Sequence, residues 1–360
     1  MDTLTHALSG ALLARALVAP DSSRKVLPER WFGRPLGVVQ AVAVGAAAAT
    51  FPDADFVLGW ISDLAYLRGH RGVTHSLLMW PLWSVLIGLL FAWLFRRPEL
   101  WKRASWIAAA GLGIHIVGDW ITQFGTMLLA PLSDARFGLG SIFIIDLVLT
   151  GIIVAGLLGS LLARSSRAPA FIALGLLPAW IAVSLVGRAE ALQFAQAYAA
   201  REGIAARMID AAPRPASPFN WTVLIFDGAK YRYAHVNTRR SEPLVAGPDD
   251  NFIRRFSAPY QPLDRAQWQT ALKVPEGPDE ALGRAAWSHP EFEFFRWFAQ
   301  FPALERVDRG VDGECVWFRD LRFLTPGRDS LPFRYGMCRL AQDVWRPFRL
   351  DGEAGRVDIR

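Results

Sequence analysis

The chain has 360 residues, 52% of them hydrophobic, a formal net charge of +6 and a mean hydropathy of +0.21. That apolar content fits neither an ordinary globular protein nor a full membrane transporter, and the length allows two domains. Basic residues in such a chain report membrane topology first, and no nucleic-acid motif occurs, so no nucleic-acid partner is expected.

The apolar excess lies before residue 188. Runs long enough to cross the roughly 30 Å hydrocarbon layer, which takes about 20 helical residues, occur near 3–20, 36–52, 74–95, 104–123, 141–163 and 169–187. The first two are short and Ala-rich, and the first carries His6 and Arg15, the latter placed to snorkel to the interface. No cleavable signal peptide is expected, because the first run begins with Asp2 and lacks a charged leader. Trp31, Trp60, Trp101 and Trp120 near run ends suit interfacial anchors.

Beyond Gly187, "RAEALQFAQAYAAREGIAARMID" has helical spacing and "APRPASPF" breaks it. "NWTVLIFDGAKYRYAHVNT" alternates as a hairpin around Asp227 and Gly228. Residues 264–272 and 278–300 read as short helices, and "GECVWFRDLRF" and "PFRYGMCRL" as strands. The expected fold is mostly α: a polytopic membrane helical bundle of about six spans over residues 1–188, followed by a small α+β soluble domain over 189–360. Cys315 and Cys338 stand in no CxxC or Cys/His array, which argues against a cysteine zinc site and leaves a disulfide or two buried thiols.

Lys and Arg in the short connections separate two faces. One receives Arg24, Lys25, Arg30, Arg34, Arg96, Arg97, Lys102, Arg103, Arg164 and Arg167, the other only Arg68, Arg71 and Arg136. The positive-inside bias makes the first face cytoplasmic and places the C-terminal domain in the bacterial periplasm, with the chain crossing the inner membrane several times.

The ionisable residues in or against the runs then fall on the outer face. His6 is near the start of the first run; Asp53 and Asp55 follow the second; His70 and His75 flank the start of the third; His115 and Asp119 occupy the outer half of the fourth; Asp146 lies near the outer start of the fifth. His115 and Asp119, four apart on a helix, project from one side. Intramembrane ionisable groups are functional by default, and imidazole with carboxylate suits Zn²⁺, Mn²⁺ or Fe²⁺. Thr74 is placed to cap the third helix, and Arg71 to hold an anionic oxygen beside the metal. Asp63 and Arg68 read as solvated loop charges. In the C-terminal half His235 and His289 read as structural or exposed, and no nucleophile or phosphate loop stands out.

Taken in order, "DTLTHALSG", "PDADF", "HRGVTHS", "HIVGDWITQFG" and "FIIDLVLTG" resemble the YdjM-like family of bacterial membrane-bound, predicted metal-dependent hydrolases over about residues 1–190. The resemblance implies a metal site built from His6, Asp53, His70, His75, His115, Asp119 and Asp146. The His-xxx-Asp helix is also similar to the zinc-binding helices of zinc-dependent phospholipase C and P1-type nucleases.

The reading that follows is a membrane-bound hydrolase with a divalent transition metal, zinc first and Mn or Fe next, in which Asp55 takes the proton of an activated water and Arg71 faces a phosphoester or lipid-linked substrate. Two rivals use the same residues: a non-catalytic scaffold with a structural metal, and a metal or proton transporter. The transporter requires ionisable groups reaching both faces, and the inner halves of the runs hold almost none besides Arg15.

Overall fold

The computed structural model describes residues 1–19, 36–310, 313–326, 331–352 and 355–359. Arg24, Lys25, Arg30, Trp31 and Arg34, used above for topology and anchoring, lie outside the described residues. The chain forms two compact units, Met1–Val57 with Gly69–Leu185, and Leu58–Arg68 with Val186–Arg360. It therefore passes between units three times, whereas the sequence reading placed one boundary near 188.

In the first unit, helix α1 (Thr3–Leu17) starts at Asp2, whose carboxylate accepts from Thr5 N. Helix α2 (Val38–Thr50) continues into a tighter 3-10 segment, Phe51–Trp60. Pro52 supplies the physical reason, since it has no N–H for the helical ladder and crowds the carbonyl four residues back. Helix α3 (Asp63–Gly69), all but its last residue in the second unit, follows; the first unit then resumes with a 3-10 turn (Val73–His75), α4 (Trp80–Leu94), α5 (Trp101–Trp120), α6 (Leu147–Leu162) and α7 (Ala168–Arg201), whose last turns belong to the second unit.

The expectation of about six spans is corrected. Among the described residues two continuous helical stretches, Val38–Trp60 and Ala168–Arg201, are long and apolar enough to cross a bilayer, and Asp63–His75 with Trp80–Leu94 makes a third only if helices bent by 79° count as one span. The runs looked longer than the helices they contain. Helix α1 has 15 residues, about 22 Å at 1.5 Å per residue. Residues 141–146 of the fifth run are not helical, and α5 carries Lys102, Arg103, His115 and Asp119. The sixth run is half of a single helix that continues unbroken to Arg201 despite Pro178.

Helices α1, α2 and α5 meet through glycine. A Cβ on Gly10 would lie 2.2 Å from Gly45 O, one on Gly45 2.5 Å from Gly10 O, and one on Gly111 2.6 Å from Gly45 O. Such small-residue seams let backbones approach closely where lipid removes the hydrophobic drive between helices. The core around them is largely alanine, with Val44, Leu100, Ile107 and Leu112. Outward faces of α4, α6 and α7 expose Leu89, Trp93, Leu158, Leu161, Phe171 and Ile172, a surface suited to lipid.

The second unit carries two five-stranded sheets. The first orders β1 (Met208–Pro213), β2 (Asn220–Phe226), β3 (Lys230–Asn237) and β4 (Gln261–Pro262), with β5 (Gln269–Leu272) also on β3. The hairpin forms where expected: Gly228 has φ of 111°, and Asp227 Oδ1 accepts from Ala229 N and Lys230 N. Short helices α8 (Phe252–Ser257), α9 (Glu280–Ser288) and α10 (Glu293–Phe298) precede the second sheet, an antiparallel meander of β6 (Pro302–Gly310), β7 (Gly313–Asp320), β8 (Tyr335–Arg339), β9 (Trp345–Asp351) and β10 (Gly355–Asp358). Two local readings change. "RMID" leads into strand β1 instead of ending a helix, and 264–272 holds the end of a 3-10 turn and then strand β5 (Gln269–Leu272) instead of a helix, because pairing to β2 and β3 overrides local spacing. Cys315 and Cys338 face each other across β7 and β8 and are disulfide-bonded.

His235 on β3 shares a hydrogen bond with Thr222 Oγ1 at 2.8 Å, and burial followed by the Arg214 charge pushes its pKa down to about 3. The unfolded chain binds that proton near pH 6.5. Stability is therefore fully present above pH 6.5 and falls as pH drops from there towards 3. Urea titrations of wild type and His235→Gln at pH 7 and pH 4.5 are expected to show a smaller acid loss in the variant. An equal loss would remove His235 as its source.

Candidate metal centre

His6 comes from α1, Asp53 and Asp55 from the 3-10 segment after α2, His70, Arg71 and His75 from the connection between α3 and α4, and His115 and Asp119 from α5. Ligand atoms of His6, Asp53, His115 and Asp119 all lie within 4.8 Å of one another. His75 adds a fifth, its Nε2 standing 3.0 Å from His115 Nε2 and 3.2 Å from Asp119 Oδ2. His6, His75, His115 and Asp119 are fully buried, whereas the side chains of Asp53 and His70 are each 15% exposed.

Hydrogen bonds fix which nitrogens point inward. His115 Nδ1 is 2.6 Å from Ala49 O, and a carbonyl only accepts, so Nδ1 carries a proton and Nε2 is the nitrogen turned inward, where the neutral form of the ring has its lone pair. His75 Nδ1 faces Thr74 Oγ1 at 3.0 Å and Asp55 Oδ2 at 3.5 Å, which leaves its Nε2 a lone pair too. Asp53 Oδ1 lies 3.7 Å from His115 Nε2 and 3.9 Å from His75 Nε2. Asp119 Oδ2 is 3.6 Å from His115 Nε2 and receives no hydrogen bond among the described residues. Two nitrogens and two oxygens thus face one another as acceptors.

Acceptors in mutual contact repel and are costly when buried without a donor. A cation removes that cost, and the spacing fits one, because tetrahedral ligands at 2.0–2.2 Å stand about 3.3–3.6 Å apart. The donor set therefore suits a metal ion. His6 Nε2 is 3.0 Å from Asp119 Oδ1, and its ring stacks on His115 at a centroid separation of 3.7 Å.

Arg71 does not face outward to an anion as expected. It is buried, with Nη2 3.0 Å from Asp119 Oδ1 and Nη1 3.0 Å from Thr122 Oγ1. The Met1 amino group also donates to Asp119 Oδ1. Arg71 has φ of 60°, a left-handed backbone that non-glycine residues rarely adopt. Its N–H reaches Asp55 Oδ2 at 2.9 Å and its carbonyl accepts from Met127 N at 2.9 Å, so the turn is held from both sides.

Asp55, expected as a proton acceptor, is instead an orienting residue. Its Oδ1 is 2.8 Å from His70 Nδ1, and its Oδ2 takes Arg71 N and faces His75 Nδ1. Carboxylates placed behind a ligating histidine fix its tautomer and raise its basicity. Asp55→Asn is accordingly expected to weaken metal binding about 10–100-fold, read by chelator competition. Unchanged affinity would refute the orienting role. Thr74 does not cap the third helix, whose N-cap is Met79; its hydroxyl bonds His75 and Asp55.

Asp146 is not brought to the centre. It is the N-cap of α6, accepting from Leu149 N at 2.8 Å, while its other oxygen takes Trp180 Nε1 at 3.1 Å. Thr3, whose hydroxyl donates to Asp53 Oδ2 at 2.7 Å, and Thr122 escaped the sequence reading, since a threonine that positions a ligand looks like any other.

The model of the YdjM inner membrane protein family matches residues 1–191. The chain belongs to this family. Every residue of the centre falls inside the YdjM match, which ends within α7, so the two sheets lie beyond it. The uncharacterized protein YfhP of Bacillus subtilis (strain 168) is 29% identical over 148 residues, 41% of this chain and 42% of YfhP. The match thus spans less than half the length of that relative. No solved structure matches the chain.

Proposed function

We propose that this YdjM-family chain is a membrane-bound, metal-dependent hydrolase acting on a phosphoester or lipid-linked substrate at the periplasmic face. The observation that carries the reading is the convergence of His75 Nε2, His115 Nε2, Asp119 Oδ2 and Asp53 Oδ1, each of the two nitrogens standing 3.0–3.9 Å from the other three atoms. His6, Asp53, His75, His115 and Asp119 would hold the ion, with zinc first and manganese or iron next. A bound divalent cation supplies Lewis acidity and lowers the pKa of water to near neutrality.

The chain's own groups do the rest. Arg71 fixes Asp119 from the buried side, and Asp55 holds His70 through Nδ1. With Nδ1 so held, His70 takes the acid–base role first given to Asp55, moving a proton at Nε2. The exposed edges of Asp53 and His70 put substrate entry on their side. The Cys315–Cys338 disulfide supports an oxidising compartment for the second unit, in keeping with the arginine-poor outer face.

The test is hydrolysis of a generic phosphodiester and of a phospholipid by detergent-purified protein, before and after chelation and zinc return. Chelation is expected to abolish turnover and zinc to restore it; His70→Gln is expected to keep the metal and lose about 100-fold or more in kcat. Bound metal without turnover on any phosphoester would overturn the hydrolase and leave a structural metal site.

A further inference from the structure

Arg15 sits nine residues beyond His6 on α1, about 13 Å along the helix at 1.5 Å per residue. It does not snorkel. The residue is only 5% exposed, and Nη2 donates to Arg164 O at 3.0 Å and Ser166 O at 2.7 Å, in the turn between α6 and α7. Arg167 replies from that turn, with Nη1 3.3 Å from Ala16 O and its guanidinium 5.5 Å over the Phe171 ring. Each arginine thus caps backbone of the other's segment, which explains one fork of each and no more.

What capping leaves over is charge. Arg167 acts on Arg15 by like-charge repulsion, and Arg15 Nη1 is buried with no hydrogen-bond partner among the described residues. Neither arginine, nor Arg164 beside them, has a carboxylate partner among the described residues. A guanidinium removed from water without a counter-charge is costly, and carbonyl dipoles offset only part of that cost. Two guanidiniums close enough to repel each other offer the planar, forked donors that match a tetrahedral oxyanion. Around them α6 and α7 expose Leu158, Leu161, Leu162, Phe171 and Ile172, an apolar surface on which acyl chains can lie.

We propose that Arg15 and Arg167 bind the phosphate of an anionic phospholipid headgroup, whose chains run along the exposed faces of α6 and α7. The phosphate neutralises both arginines and engages Arg15 Nη1. Bound there, the lipid fastens the α6–α7 turn to the end of α1, independently of the metal centre.

The full chain in nanodiscs of phosphatidylglycerol or phosphatidylcholine, exchanged into detergent and weighed by native mass spectrometry, provides the test. Wild type is expected to retain phosphatidylglycerol at least roughly tenfold over phosphatidylcholine, whose choline adds positive charge, and Arg167→Gln to lose that preference. Arg15→Lys should keep part of it. Arg167 is the more exposed of the two, so its variant keeps the test open if Arg15→Gln does not fold; unchanged metal content certifies the fold. Equal retention of both lipids by wild type, or full retention by folded Arg167→Gln, would overturn the site. Arginine-dependent binding of inorganic phosphate to lipid-stripped protein without lipid retention would overturn the headgroup in favour of a free anion.

Discussion

Asp119→Asn is expected to cost both the metal and the stability of the first unit. The Asp119 carboxylate touches more of the centre than any other group: Oδ1 meets His6 and Arg71, and Oδ2 faces His75 and His115. Asparagine keeps the shape and removes the charge. One ligand is then neutral, and Arg71 is left as a buried cation without its counter-ion, a loss of about 3–5 kcal/mol for a broken buried pair. Metal analysis should find the variant empty, and thermal unfolding in detergent should show a lowered Tm. Adding Arg71→Met separates the two effects, because an apolar side chain removes the orphaned guanidinium and leaves the Met1 amino group as the one cation that lost Asp119. The double variant is expected to regain Tm while staying metal-free, and recovery of metal by it would contradict the ligand role of Asp119.

Gly45→Val should have a comparable effect with no change in chemistry. Its new Cβ would meet Gly10 O at 2.5 Å and Ala14 Cβ at 2.6 Å, while a Cβ on the opposite partner, Gly111, would already meet Gly45 O at 2.6 Å. Backbone cannot yield as a flexible side chain does, so α1 and α2 must separate. Overpacking of this kind costs about 1–3 kcal/mol and occasionally more. The separation also moves His6 away from Asp53 and His115, whose ligand atoms come from the elements on either side of the seam. Loss of Tm together with weakened metal binding is the expected outcome. Gly175→Ala, with open space at its Cβ, is the control and should change neither.

Much of the centre was legible in the sequence because its chemistry is carried by residue types that have no other reason to lie beside apolar runs. His6, Asp53, His70, His75, His115, Asp119 and Asp146 could be assigned together, of which all but His70 and Asp146 have ligand atoms turned on one another, and the four-residue step of "HIVGD" already placed two of them on one helix face. What the sequence concealed was the order of the shells. Asp53 and Asp55 are two residues apart and look equivalent, yet one faces the ligand atoms and the other stands behind His70 and His75. The distinction arises because the chain after Pro52 winds as a tight helix instead of an extended strand, so alternate residues do not share a side. Arg71 and Arg15 misled for a common reason: composition registers a charge and not whether another element brings a partner to it. Helix lengths failed differently. Hydropathy sums apolar residues whether or not the backbone is helical, so residues 74–79 and 141–146 were counted into spans whose helices they do not join.

Metal stoichiometry of the detergent-purified chain bears most directly on the centre. Wild type, loaded with zinc, manganese or iron and then dialysed, is expected to hold at least one equivalent of transition metal per chain, with His115→Ala and Asp119→Asn holding none. A folded wild type that retains no transition metal would mean that the inward-facing nitrogens and oxygens are reconciled by protons, and that this cluster is not a metal centre.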